Sequence, residues 1–127
     1  MSMASGYKMM LSILIVPLLM IGFGLLFIKK PPKRINALYG YRTRRSMRNQ
    51  DTWDFAHQYC GKIWLVCGLL SILPSLIPIW LVVRKSEHLI SMTGSIVLGI
   101  QVLLLLATLI PTERALNNNF DEFGRPR

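Results

Sequence analysis

Asp54 and His57 stand three residues apart on a segment whose apolar spacing predicts a helix, so the two side chains share a face where they could relay a proton or position a water. Far downstream, Glu113 and Arg114 follow Pro111 and Thr112 directly, offering a carboxylate and a guanidinium side by side. Between the first two apolar runs, Arg42, Arg44, Arg45 and Arg48 crowd a short stretch with Tyr39, Tyr41 and Trp53, a composition suited to holding an anion or a partner. Catalysis by these groups would need a nucleophile or a second base. Neither is evident, and no Ser-His-Asp spacing, HExxH, P-loop or dinucleotide loop is present. An interfacial hydrogen bond is the simpler use of His57, and no residue is assigned a catalytic role. Cys60 and Cys67 are seven positions apart, roughly 10 Å along a helix, too far for a disulfide within it. No Cys or His cluster suits a metal, so neither a metal nor a cofactor is expected.

The elements that must position these groups are apolar. The chain of 127 residues is 52% hydrophobic with mean hydropathy +0.41, and the apolar residues fall in uninterrupted blocks. One domain, 1–127, of an integral membrane protein follows, with spans near 9–28, 63–83 and 91–110 and a polar loop over 29–62. The first run exceeds a signal-peptide core, lacks a small-x-small cleavage pattern and is expected to be retained. Pro17, Gly22 and Gly24 predict a kink or a close neighbour in it, and Lys29 to Arg34 a proline-punctuated stop. Ser46 or Asn49 can cap a helix beginning near Gln50, with Trp53, Ala56, Cys60 and Trp64 on one face and Asp54, His57, Gln58 and Gly61 on a polar flank. The fold class expected is thus all-α integral membrane, three transmembrane helices with an interfacial helix running into the second span. Pro74 and Pro78 share a face and can open a cavity. Ser91, Ser95 and Gly99 form a small-residue row for a neighbouring helix, and the tail beyond Pro111 is expected to fray after one turn.

The formal net charge of +9 permits nucleic acid, but the basic residues flank apolar spans, where anionic headgroups attract them; membrane lipids are the expected partners and nucleic acid is not. Lys29, Lys30, Lys33, Arg34 and the loop arginines outweigh Lys8, Arg84 and Lys85, placing the N-terminus outside and both the loop and the C-terminus in the cytoplasm. Loop and tail then share one boundary, and Glu113 is expected to pair with Arg42 or Arg45. Tyr39, Tyr41, Trp53 and Trp64 fit an interfacial aromatic belt.

Asn36, the run Tyr39-Gly40-Tyr41-Arg42-Thr43, Ser46, Asn49, Trp53 and Ala56, followed by an apolar span and Pro111-Thr112-Glu113, resemble the SdpI family of bacterial membrane proteins. That family is named for the immunity protein against the sporulation-delaying toxin, whose namesake carries additional membrane segments before this module. The resemblance implies a bacterial inner-membrane protein that protects its producer from a secreted toxic peptide or binds a cytoplasmic regulator. It points to Asn36, Tyr39, Gly40, Arg42, Thr43, Ser46, Asn49 and Trp53 as partner-binding positions, with Asp54, His57, Glu113 and Arg114 beside them. The alternatives are a small membrane enzyme acting on lipid or peptide at the inner leaflet, and an oligomeric transporter subunit. Three spans enclose little polar volume, so transport would require self-association, and Gln101 is the one strongly polar side chain inside them.

Overall fold

The computed structural model describes residues 3–127. Helices α1 (Met3–Lys29), α2 (Gln50–Val82), α3 (Glu87–Ala107) and α4 (Leu109–Asn119) follow one another, and no sheet forms among the described residues beyond an isolated bridge from Phe120 to Pro126. Ala4–Lys29, Gln50–Val82 and the near-continuous Glu87–Asn119 are each long and apolar enough to cross a membrane.

Gly6, Ile13, Pro17, Met20, Gly24 and Phe27 are buried at helical spacing, one stripe of α1 facing its neighbours, while Leu11, Ile15, Leu18 and Leu19 face outward. In lipid the hydrophobic effect does not drive helices together, so close backbone approach must do it. Gly24 and Gly61 supply that approach: a Cβ on either would stand 2.8 Å from the carbonyl oxygen of the other. Gly68 repeats the arrangement against Pro17 and Ile21, whereas a Cβ on Gly22 or Gly99 would meet no neighbouring heavy atom within 4 Å. The expected row Ser91, Ser95 and Gly99 therefore lies on the exposed face of α3, and Gly94 is the glycine of α3 that packs, against Met9.

Prolines 17, 74 and 78 sit inside unbroken helices. A proline offers no amide hydrogen to the carbonyl four residues earlier. For Pro17 that carbonyl is Ile13, and Gln101 Nε2 donates to it from α3 at 2.7 Å. Gln101 Nε2 also donates to Ser75 Oγ at 2.9 Å, so one amide ties three helices together in the middle of the bundle.

α2 is one helix of 33 residues, or about 50 Å, against a hydrocarbon core of about 30 Å. Asn49 caps it: its side chain accepts from Thr52 N at 2.9 Å, and Asn49 N donates to Thr52 Oγ1 at 3.1 Å. Ser86 caps α3 through Leu89 N at 3.1 Å, and Ser5 Oγ donates to Glu87 Oε1 at 3.1 Å, bringing the start of α1 to the α2–α3 turn. Beyond Pro111 the chain does not fray. α4 continues to Asn119 because Thr112, Ala115 and Leu116 are buried and the following turn folds back, with Arg127 Nε donating to Asn117 O at 2.7 Å and Phe120 O at 2.9 Å.

Candidate functional site

The loop after α1 is fastened at its base by α2. Gln58 Nε2 donates to Phe27 O at 3.2 Å and Ile28 O at 3.0 Å, satisfying carbonyls at the end of α1, and Trp53 Nε1 donates to Pro32 O at 2.7 Å. Asn36 Oδ1 accepts from Leu38 N and Tyr39 N, both at 2.9 Å, folding the chain into an Asx turn. The turn leads to Gly40 at φ +112°, where a Cβ would stand 2.6 Å from His57 Nε2. Because Gly40 has none, Tyr41 N reaches that nitrogen and donates to it at 2.9 Å.

His57 is fully buried, with Trp53 and Phe27 ring centroids 4.3 and 4.9 Å away. Its Nδ1 lies 2.7 Å from Trp53 O and its Nε2 accepts from Tyr41, so these partners assign a neutral ring protonated at Nδ1 with both nitrogens occupied. Asp54 points outward and accepts from Gln50 Nε2 at 2.8 Å. The Asp54–His57 relay is therefore not assembled, and His57 and Gly61 belong to the packed face of α2 and not to a polar flank.

Past Gly40, Tyr41 OH and Thr43 Oγ1 both donate to Glu113 Oε2, at 2.8 and 3.0 Å. Burial, and next the Glu113 carboxylate, push the Tyr41 phenol above its ordinary value. The expected pairing of Glu113 with Arg42 or Arg45 is not formed. Arg42 turns back to Ala37 O, Arg45 Nη1 donates to Asn117 Oδ1 at 2.8 Å, and Arg125–Asp121 at 3.0 Å is the ion pair found among the described residues. Two neutral hydroxyls satisfy the carboxylate without stripping water from a guanidinium. Ser46, fully buried, locks the bend: its Oγ accepts from Thr43 N at 2.9 Å and donates to Tyr41 O at the same distance. Asn49 reaches the tail, Nδ2 donating to Gly124 O at 2.7 Å.

Of the positions singled out by sequence, Thr43, Ser46, Asn49, Trp53, His57 and Glu113 are linked by hydrogen bonds through Tyr41 and Thr52, while Gly40 leaves the room for the His57 contact and Asn36 folds the turn before it. Tyr39 and Arg114 are exposed and donate no side-chain hydrogen bond to a described residue. Arg114 lines a shallow surface depression with Arg45 and Glu113. The sequence offers Trp64 only as a belt residue, whereas its Nε1 donates to Thr108 Oγ1 at 2.9 Å and fastens α2 to the α3–α4 junction; the tail residues that meet Asn49 carry no signal in the sequence.

A second feature lies at mid-bundle. A groove of about 550 Å³ runs between α2 and α3, lined by Pro74, Pro78, Ser71, Ile100 and Gln101 among others. The cavity expected from the paired prolines is present. Pro74 and Pro78 leave the Leu70 and Pro74 carbonyls without their helical donors, and the buried Oε1 of Gln101 has no hydrogen-bond partner among the described residues.

A sequence model described as the SdpI/YfhL protein family matches residues 33–112, which contain most of the loop, α2, α3 and the Pro-Thr corner. A relative printed as "Uncharacterized protein YfhL" from Bacillus subtilis (strain 168) is 48% identical over 52 residues, 41% of this chain and 47% of that protein. The matched segment thus spans about half the length of that relative. No solved structure gives a significant match. With the match covering well over half of the chain and three membrane-crossing helices carrying the loop network, this multi-pass membrane protein belongs to the SdpI/YfhL protein family.

Proposed function

We propose that the protein is a membrane immunity or peptide-sensing module, and that the α2–α3 groove receives an apolar, membrane-inserted peptide segment. The unpartnered, buried Oε1 of Gln101, a residue of this mainly apolar groove, carries this reading. A buried acceptor lacking a donor is costly, by about 1–3 kcal/mol, and a lipid acyl chain has no donor to offer. A peptide side chain such as serine, threonine or tryptophan has one. Family membership supports protection from such a peptide, and the loop network supports a rigid collar that holds α2 and α4 in place around the groove.

In this reading the membrane is the bacterial inner membrane, the N-terminus lies outside, and the collar and C-terminus lie in the cytoplasm. The length of α2 supports its first turns, with Gln50, Asp51 and Asp54, lying in the headgroup region as an interfacial extension of the span. A second reading, docking of a cytoplasmic regulator on the collar, is favoured by exposed Tyr39 and Arg114 at its rim.

Survival of a sensitive host under challenge by membrane-active peptides tests the proposal. Wild type is expected to raise survival, and Gln101→Leu at matched membrane level to lose about tenfold in protection, the equivalent of one hydrogen bond of ~1.4 kcal/mol. Arg42→Ala is expected to lose less. Protection that survives Gln101→Leu would remove the groove from the mechanism, and well-inserted wild type that protects against none of the peptides would overturn immunity.

A further inference from the structure

The C-terminal turn closes a polar cleft of about 470 Å³ at the collar end of the bundle, and Arg45, Arg48, Arg125 and Arg127 all line it. Each guanidinium is held by part of its donor set. Arg45 uses Nη1 on Asn117 Oδ1 at 2.8 Å, Arg48 Nη1 on Asp121 O at 3.2 Å, Arg125 Nε on Asp121 Oδ2 at 3.0 Å, and Arg127 Nε on two backbone carbonyls. A guanidinium carries five N–H donors, so most of each fork stays free while its position is set.

Two carboxylates share the cleft, Asp121 and Glu122. Asp121 is already spent: Oδ1 accepts from Phe123 N at 2.9 Å and Arg125 N at 2.8 Å, and Oδ2 takes the Arg125 side chain. Glu122 lies on the exposed side and accepts no side-chain hydrogen bond from a described residue. Gathering four like charges against two opposite ones raises mutual repulsion, and a tetrahedral dianion or monoanion placed among the free forks removes it. The exposed Phe123 ring, with the Arg125 guanidinium 5.1 Å from its centroid, adds an apolar lip to the cleft.

We propose that this cleft binds a single phosphate group, presented by the headgroup of an anionic phospholipid or free in solution. The site is separate from the mid-bundle groove and stands whether or not that groove binds a peptide. It also gives the tail turn, through Asn49 and Arg48, a route by which the phosphate stiffens the cap of α2.

The experiment uses the full chain in neutral detergent and measures the thermal midpoint and direct binding. Phosphatidylglycerol is titrated against phosphatidylcholine, and inorganic phosphate against chloride at matched ionic strength. Saturable stabilisation is expected with at least one phosphate source. Arg45→Gln and Arg125→Gln are each expected to weaken binding about tenfold, and Arg44→Gln, which removes the same charge outside the cleft, to leave it unchanged. Because Arg125→Gln also breaks the Asp121 pair, Arg45→Gln keeps the test sound if the turn loosens. Response to phosphatidylglycerol alone assigns the headgroup; response to inorganic phosphate assigns a free phosphate site. No saturable response to either, or an equal loss in Arg44→Gln, overturns the proposal.

Discussion

Gly40 shows how a single missing atom decides the local chemistry. Its left-handed backbone and the space in front of His57 Nε2 let Tyr41 turn inward, and Tyr41 then carries the collar to Glu113. A tyrosine so placed makes stability depend on pH. Its folded value is raised above the ordinary 10.0 by burial and then by Glu113, so the folded state keeps the proton longer than the unfolded chain does. Stability from this group is therefore fully present below about pH 10 and falls as pH climbs beyond it. Tyr41→Phe is expected to flatten that alkaline decline in detergent melts, and a slope identical to wild type would refute the assignment. Sequence counting favoured an arginine partner for Glu113 because guanidiniums are abundant nearby. Hydroxyl donors from Tyr41 and Thr43 won because they satisfy the carboxylate at lower desolvation cost.

Among the elements, α1 and α2 show why apolar length alone says little about packing. Every face of α1 is greasy, yet the face that meets α2 is chosen by glycine: Gly24 against Gly61, and Gly68 against Pro17. Gly61→Ala would press a methyl onto Gly24 O at 2.8 Å and the Phe27 and Ile28 side chains at 3.0 Å. It is expected to cost about 1–3 kcal/mol, read as a lowered midpoint in detergent, whereas Gly99→Ala, with open space before it, is expected to change little. An equal response in the two variants would show that the glycine contact does not hold the helices. α4 carries the opposite lesson. Its run Asn117 to Asn119 has poor intrinsic helix propensity, and fraying was a fair expectation from it. Burial of Leu116 and the returning tail hold the helix together, which local composition does not reveal.

For the molecule as a whole, the collar and the Pro-Thr-Glu corner lie at one end of the bundle, and the start of α1 lies with the α2–α3 turn at the other. Lys29, Lys30, Lys33 and Arg34 and the loop arginines gather at the collar end, against Lys8, Arg84 and Lys85 at the far end. This charge asymmetry is what supports the proposed orientation, with the collar inside. A reporter fused after Arg127 should be active only in the cytoplasm, and Lys85→Cys should react with a membrane-impermeant thiol reagent added outside. Reversal of both results would invert the orientation.

Three apolar runs of spanning length, a helix start near Gln50 capped by Ser46 or Asn49, and the identity of the loop motif are all legible in the chain, because span length, capping and charge bias depend on residues near one another in sequence; the structure chooses Asn49. The partners of Glu113, the service of Gln101 to the carbonyl freed by Pro17, and the arginine cleft closed by the tail were not. Each joins groups dozens of positions apart, and among several donors of similar chemistry only the packed fold determines which one arrives within hydrogen-bond distance.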